Sequence, residues 1–280
     1  MNKVMLSIGH GYSAGALGRQ LLADGWTIYG TTRSADKAES MQAQGIAPII
    51  WPDTDLRPFI NRASHVLTSV APTAVGDAVL AAHGDDLRKG SFEWVGYLST
   101  TGVYGDHNGD WVDETTPLTP TTKRGEMRRD AEAAWAKLGL PLHIFRLAGI
   151  YGPGRGPFAK VRAGTARRII KQGQVFSRIH VDDIAQVLAA SITSPRAGAI
   201  YNLCDNDPAP PEDVIGYAAQ LLGMPMPEAV DFETADMTPM ARSFYAENKK
   251  VSNDLIKSEL GVSLKFPDYR IGLETLLAQS

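Results

Sequence analysis

A short apolar run, Val4-Met5-Leu6-Ser7-Ile8, ends in Gly9-His10-Gly11-Tyr12-Ser13-Ala14, and a helical pattern follows over residues 15–23. This strand-to-helix turn limits what the chain can become more than any other feature. Gly9 makes the tight turn, Gly11 lacks the Cβ that would hold a pyrophosphate off the backbone, and Ala14 is small enough for helix and strand to pack closely. The phosphates then lie at a helix N-terminus, where unpaired N–H groups and the helix dipole favour negative charge. The order suits a dinucleotide, with Gly9, Gly11, Tyr12, Ser13 and Ala14 as its contacts. Residues 11–15 also spell Gly-x-Ser-x-Gly, the nucleophile elbow of hydrolases. A serine hydrolase using Ser13 is therefore an alternative, needing a downstream acid and one of His107, His143 or His180.

The 280 residues are 44% hydrophobic and 21% charged, values of a soluble globular chain with room for a large core. A formal net charge of −3 provides no basic field for nucleic acid and no polybasic block for an anionic membrane. No apolar run reaches transmembrane length. Met1-Asn2-Lys3-Val4 runs straight into the first strand without a signal-peptide core. The single cysteine, Cys204, excludes an internal disulfide and a cysteine metal cage, and it ends an apparent buried strand as a core thiol. Together these features point to the cytoplasm and to a small-molecule substrate.

Strand and helix signals alternate. Strands are expected at 26–31, 46–51, 65–70, 92–99 and 142–147, with helices at 34–44 and 122–138; Ser34 is the cap of the first of these. Such alternation implies crossover units and a mostly parallel sheet covered on both faces. After Gly149 the texture changes: Gly, Pro and Arg crowd residues 151–157. A helix at 181–193, a strand at 199–203, a Pro-capped helix running to Leu222, a polar loop over 234–248 and short helices near Asn253 and Tyr269 follow. The expected architecture is α/β: a doubly wound, Rossmann-type parallel sheet in residues 1–150, joined by some later segments, and a small C-terminal α/β substrate lobe in 151–280.

Further segments carry a resemblance. They are Leu98-Ser99-Thr100-Thr101-Gly102-Val103-Tyr104-Gly105, Arg146-Leu147-Ala148-Gly149-Ile150-Tyr151-Gly152-Pro153, His180-Val181-Asp182-Asp183-Ile184-Ala185 and Ile200-Tyr201-Asn202-Leu203. In this order, with the tail from Ser252 to Leu273, the chain resembles the extended short-chain dehydrogenase/reductase family, also called the NAD-dependent epimerase/dehydratase family. The resemblance covers essentially the whole chain. It implies a Rossmann sheet, a substrate lobe, a cofactor turn at Ser69, Ala71 and Pro72, further cofactor contacts at Ala148 and Gly149, and a homodimer surface on the long helix.

The chain also departs from that pattern. The resemblance places Thr100 at the family's Ser/Thr position, but Arg124 and Arg128 stand where a Tyr-x-x-x-Lys pair is usual. A lysine lowers the tyrosine's pKa until it exchanges a proton near neutrality. An arginine stays protonated; it clamps an anion or steadies an oxyanion but is a poor proton shuttle. The chain thus resembles the family's atypical branch. Tyr104, near the expected cleft, is a candidate substitute proton donor.

At the second strand's end the NAD form carries an acid for the ribose hydroxyls. Here the residues are Thr32, Arg33 and Ser34, which suit a 2′-phosphate, so NADP is favoured over NAD, with a solvated Arg33 as the alternative. Arg155 and Arg178 flank the implied substrate cleft and are candidates to bind a carboxylate or phosphate. His180 with Asp182 and Asp183 reads better as a helix start capped by Asp182 or Asp183 than as a metal site, and no metal is expected. Two functions stay open: an NADP(H)-dependent oxidoreductase or epimerase-like enzyme, and a non-catalytic NADP(H)-binding sensor.

Overall fold

The computed structural model describes residues 3–279; Met1 and Asn2, read above as leading into the first strand, lie outside the described residues. Seven parallel strands form the central sheet: β1 (Val4–Ile8), β2 (Thr27–Thr32), β3 (Ala47–Ile50), β4 (His65–Thr68), β5 (Trp94–Thr100), β6 (Leu142–Leu147) and β7 (Ile200–Leu203). In space they run β7-β6-β5-β4-β1-β2-β3. β1 lies between β2 and β4, with Leu6 opposite Tyr29 on one side and Val66 on the other. The sheet first grows from β1 to β3, then crosses back and grows from β4 to β7. Strand order therefore reverses between β1 and β4, and in open sheets of this kind ligands bind beyond the strand C-termini at that reversal. The turn at Gly9 sits there.

Both faces of the sheet are covered, so every residue of β4 and β6 is buried, the polar His65, Thr68, His143 and Arg146 included. On one face α1 (Tyr12–Ala23) and α5 (Val181–Thr193) bring Leu17, Leu21, Val187 and Leu188 against Trp94 and Phe145. On the other, α3 (Ala78–Lys89) and α4 (Lys123–Ala136) bring Val79, Leu87, Ala131 and Trp135 against Val66, Val95 and Tyr97. α2 (Ala35–Ala43) links β2 to β3. Helix α3 has no counterpart among the elements read from the sequence. Its periodicity breaks at His83, whose φ of −137° is non-helical, and its start depends on tertiary contact. One Asp77 carboxylate oxygen accepts from Val79 N at 2.8 Å while the other accepts from Trp135 Nε1 at 3.0 Å.

The remaining chain builds a lobe over the strand C-termini. Short parallel pairs join 149–151 to 178–180, 168–170 to 229–231 and 111–112 to 250–251. Tyr151, Phe158, Ala218, Tyr269 and Leu273 form the lobe's own core, supplied partly by α6 (Pro211–Leu221) and α8 (Tyr269–Ala278). α7 (Asp254–Leu260) packs near β7. Between 151 and 280, α5 and β7 return to the central sheet. Within the polar loop at 234–248 lies a short helical turn, Pro239–Ser243. Among the described residues no helix is long and apolar enough to cross a membrane.

Candidate functional site

The glycine turn is built as its sequence demands. Gly9 has φ +80°, and a Cβ there would lie 3.0 Å from Val70 Cγ2, so the position takes no other residue without strain. Its N–H donates to Thr31 Oγ1 at 2.7 Å, and its carbonyl accepts a short hydrogen bond from the Ser69 hydroxyl. The Ser69-to-Pro72 segment is thereby held under the turn. Gly11 is the N-cap of α1 and has no side chain to occupy the helix N-terminus. α1 begins at Tyr12, three residues before the expected pattern, and carries no acid in its first turn. Ala14 is buried against the sheet as expected of a close-packed helix start.

Beneath the turn, His10 is buried and its Nδ1 pairs with Ser7 Oγ at 2.9 Å. Burial, helped by the Lys37 charge, pulls its pKa down to about 4, so it is a neutral floor to the site at pH 7. At the end of β2, buried Thr32 accepts from Ser34 N at 3.2 Å, and Ser34 caps α2 by accepting from Lys37 N at 3.4 Å. Arg33, between them, is exposed, and among the described residues it has no partner.

At the end of β5, Thr100 Oγ1 accepts from Gly102 N at 3.2 Å and starts a 3₁₀ turn over Thr101–Tyr104. α4 begins directly against that turn. A Cβ on Gly125 would lie 2.6 Å from the Gly102 carbonyl oxygen, so only glycine permits the approach. Thr122 caps the helix by accepting from Gly125 N at 3.2 Å. Arg124 and Arg128, one turn apart, diverge in use. Arg124 is exposed and its guanidinium lies 4.5 Å from the Phe244 ring centre. Arg128 donates to the Leu98 carbonyl at 2.9 Å and to the Tyr97 hydroxyl at 3.2 Å, folded against β5.

Tyr104 is not in the open cleft. It is fully buried, donates to Asn202 Oδ1 at 2.7 Å and accepts from Arg146 Nη1 at 3.0 Å. Burial pushes its pKa up to about 12. Arg146 in turn pairs with Glu132, which accepts a short hydrogen bond from Ser99. This chain of five buried polar side chains ties β5, α4, β6 and β7 together. Sequence reasoning missed it: Arg146 stood in a quoted motif, but its acid lies on another element.

From the lobe, the strand at Gly149–Tyr151 follows buried Ala148 and leads into a loop that reaches back to α1. Tyr12 donates to the Pro153 carbonyl at 2.9 Å, and the Arg155 guanidinium lies 5.8 Å from the Tyr12 ring centre. Arg155 thus stands beside the glycine turn. Arg178 does not stand free in a cleft: its Nη1 donates to the carbonyls of Phe176 at 2.7 Å and Ala209 at 3.0 Å, bracing the lobe. Beside it, burial pushes the pKa of Asp205 up to about 8.

The start of α5 also differs from expectation. His180, rather than Asp182 or Asp183, is the cap: its Nδ1 accepts from Asp182 N at 3.2 Å, while Asp183 accepts from Lys265 N and Phe266 N. Among the described residues, no group of three His, Cys, Asp or Glu side chains is arranged around a metal position. Ser13 is buried and hydrogen-bonds to no histidine among the described residues, so the elbow reading lacks its base. Cys204 is buried and donates to the Val251 carbonyl at 3.0 Å.

A parallel sheet with a glycine turn at its reversal point, covered at the strand ends by a small lobe, defines a Rossmann-type α/β protein. No family model matches the chain. It is 28% identical to protein YeeZ of Escherichia coli K12, over 96% of this chain and 97% of that one. Among solved structures, a conserved protein of unknown function from Silicibacter pomeroyi is 59% identical, with TM-score 0.95 and 99% of each chain covered. A candidate NAD-dependent epimerase/dehydratase from Methylobacillus flagellatus is 29% identical, with TM-score 0.77 over 99% of this chain and 98% of that one. The human epimerase family protein SDR39U1, solved with NADPH, shares the fold at 17% identity and TM-score 0.76, covering 99% of this chain and 100% of that one. The chain is thus similar over its whole length to a candidate NAD-dependent epimerase/dehydratase and shares the fold of extended short-chain dehydrogenase/reductase proteins.

Proposed function

We propose that the protein binds NADP(H) at the β1–β4 reversal and works as an oxidoreductase or epimerase-like enzyme on a small polar or anionic substrate. The observation that carries the cofactor reading is the uncapped N-terminus of α1 behind Gly9 and Gly11, with the unpartnered Arg33 at the end of β2. The NADPH in SDR39U1 supports it. Gly9, Gly11, Tyr12, Ser13 and Ala14 would approach the pyrophosphate. Thr32, Arg33 and Ser34 would surround a 2′-phosphate. Ser69, Ala71, Pro72, Ala148 and Gly149 would line the remaining path. Arg155, stacked over Tyr12, is placed for the cofactor's phosphates as well as for an anionic substrate.

When bound, the nicotinamide supplies or accepts hydride. The residues around it have separate tasks. The Thr100 hydroxyl, already accepting from Gly102 N, retains a proton to donate to a substrate oxygen. Arg124 stabilises negative charge that develops on that oxygen or stands elsewhere on the substrate. Arg128, tied to Leu98 and Tyr97, is a positioning residue that fixes α4 against β5. The proton is exchanged with water or with a substrate group, since Tyr104 is buried and held in its neutral form. The lobe formed by residues after 151 supplies the other wall of the cleft. A second copy of the chain would dock on α4, where a groove shared with α3 is lined by alanines, among them Ala81 and Ala133, and by the charged Asp85, Arg88, Asp130 and Lys137.

The test is NADPH consumption against a panel of carbonyl compounds, with Thr100→Val and Arg124→Gln variants. Turnover that falls in both supports the roles assigned here; turnover unchanged in both contradicts them. The missing phenol at the site favours one second reading, a sensor of the NADPH/NADP ratio. That reading predicts redox-selective binding with no turnover on any member of the panel.

A further inference from the structure

Arg124, in the first turn of α4, and Phe244, in the 3₁₀ turn that follows Pro239–Ser243, meet with guanidinium and ring centre 4.5 Å apart. The ring is half exposed, and the guanidinium over it is exposed. Both sides are anchored. On the α4 side, Gly125 rests on the Gly102 backbone. On the lobe side, Glu247 accepts from Thr121 Oγ1 at 2.9 Å and Asn248 N donates to Asp106 at 2.7 Å. Behind Phe244, the buried ring of Tyr245 packs against Phe176 and Phe232, with centres 5.3 and 5.2 Å away. Arg242 and Lys171 cover Phe232, and each donates one hydrogen bond to backbone, to the carbonyls of Ala235 and Tyr245. Arg124 has no hydrogen bond or ion pair among the described residues.

We infer that Arg124 and Phe244 are the substrate's recognition pair, and that the substrate is a carboxylate borne on an aromatic or conjugated planar group. This rests on the proposed NADP(H)-dependent reading of the same cleft. An unpaired guanidinium offers a planar fork that matches a carboxylate with two parallel hydrogen bonds. The adjacent ring offers a face for offset stacking by a planar π-system.

The experiment is calorimetric titration of the full-length protein, alone and with NADP, using cinnamate and the saturated-ring analogue 3-cyclohexylpropanoate. Cinnamate should bind about tenfold more tightly than the saturated acid, the size of one good ring contact. Phe244→Leu should abolish that preference while both acids still bind. Arg124→Gln should weaken both acids by about tenfold or more, as loss of a charge-assisted pair requires. Equal affinity for the two acids in the native protein, or an aromatic preference that survives Phe244→Leu, overturns the inference. NADP that fails to bind while the aromatic preference stands overturns the cofactor reading alone. NADP that binds with no such preference overturns the recognition pair alone.

Discussion

Glu132 on α4 and Arg146 on β6 face each other inside the protein, Oε2 to Nη2 at 2.9 Å, with both side chains nearly excluded from solvent. Neither charge is left with only its partner: Ser99 donates to Glu132, and Arg146 donates to Tyr104. The pair locks the long helix to the strands whose ends bear Thr100 and Ala148.

Removing one member leaves the other charged and buried. Glu132→Ala should lower the unfolding free energy by about 3–5 kcal/mol. Urea unfolding followed by far-UV circular dichroism measures it. A loss below about 1 kcal/mol, the worth of an exposed pair, would mean the network is not closed to water.

His10 gives a pH dependence with a definite sign. Its folded pKa, about 4, lies below the ordinary histidine value of 6.5 because burial disfavours the imidazolium. The unfolded chain therefore binds the extra proton first. The contribution is full above about pH 6.5 and is lost as pH falls through about 4. His10→Leu should flatten the fall in stability across that window, by a slope of roughly one proton. Denaturation midpoints taken across that window decide it; an unchanged slope would assign the fall to other groups.

Gly125→Ala tests how the α4 start is placed. The new methyl would meet backbone, the Gly102 oxygen at 2.6 Å, and cannot be accommodated by a rotamer change. A cost of about 1–3 kcal/mol is expected, as for overpacking elsewhere. Chemical denaturation measures that cost, and displacement of Arg124 from Phe244 should appear as a shift of the Phe244 ring resonances. An alanine variant as stable as the parent would contradict the close approach.

Much of this was legible in the sequence because it is local. The turn from Gly9 to Ala14, the apolar strands and the Ser34 cap are each set by a few neighbouring residues. So was the chain's departure at Arg124 and Arg128 from the family it resembles, which needed only helix register. What the sequence hid depends on distant partners. Tyr104 looks available until Arg146 and Asn202 close over it. Arg178 looks like a cleft cation until the Phe176 and Ala209 carbonyls take its donors. The cap of α5 went to His180 because Asp183 is drawn away to the 265–266 backbone, and α3 was obscured by its break at His83. The Arg124–Phe244 contact joins two lobes, and no spacing rule connects residues so far apart.

Calorimetric titration with NADPH, NADP, NADH and NAD, on the native protein and Arg33→Ala, tests the proposed site for a 2′-phosphorylated dinucleotide. The phosphorylated pair should bind more tightly, and the variant should lose about tenfold or more of that preference, the weight of a charge-assisted phosphate contact. Equal binding of all four, or a preference that Arg33→Ala leaves intact, would contradict the role given to Arg33; no binding of any would contradict the cofactor site itself.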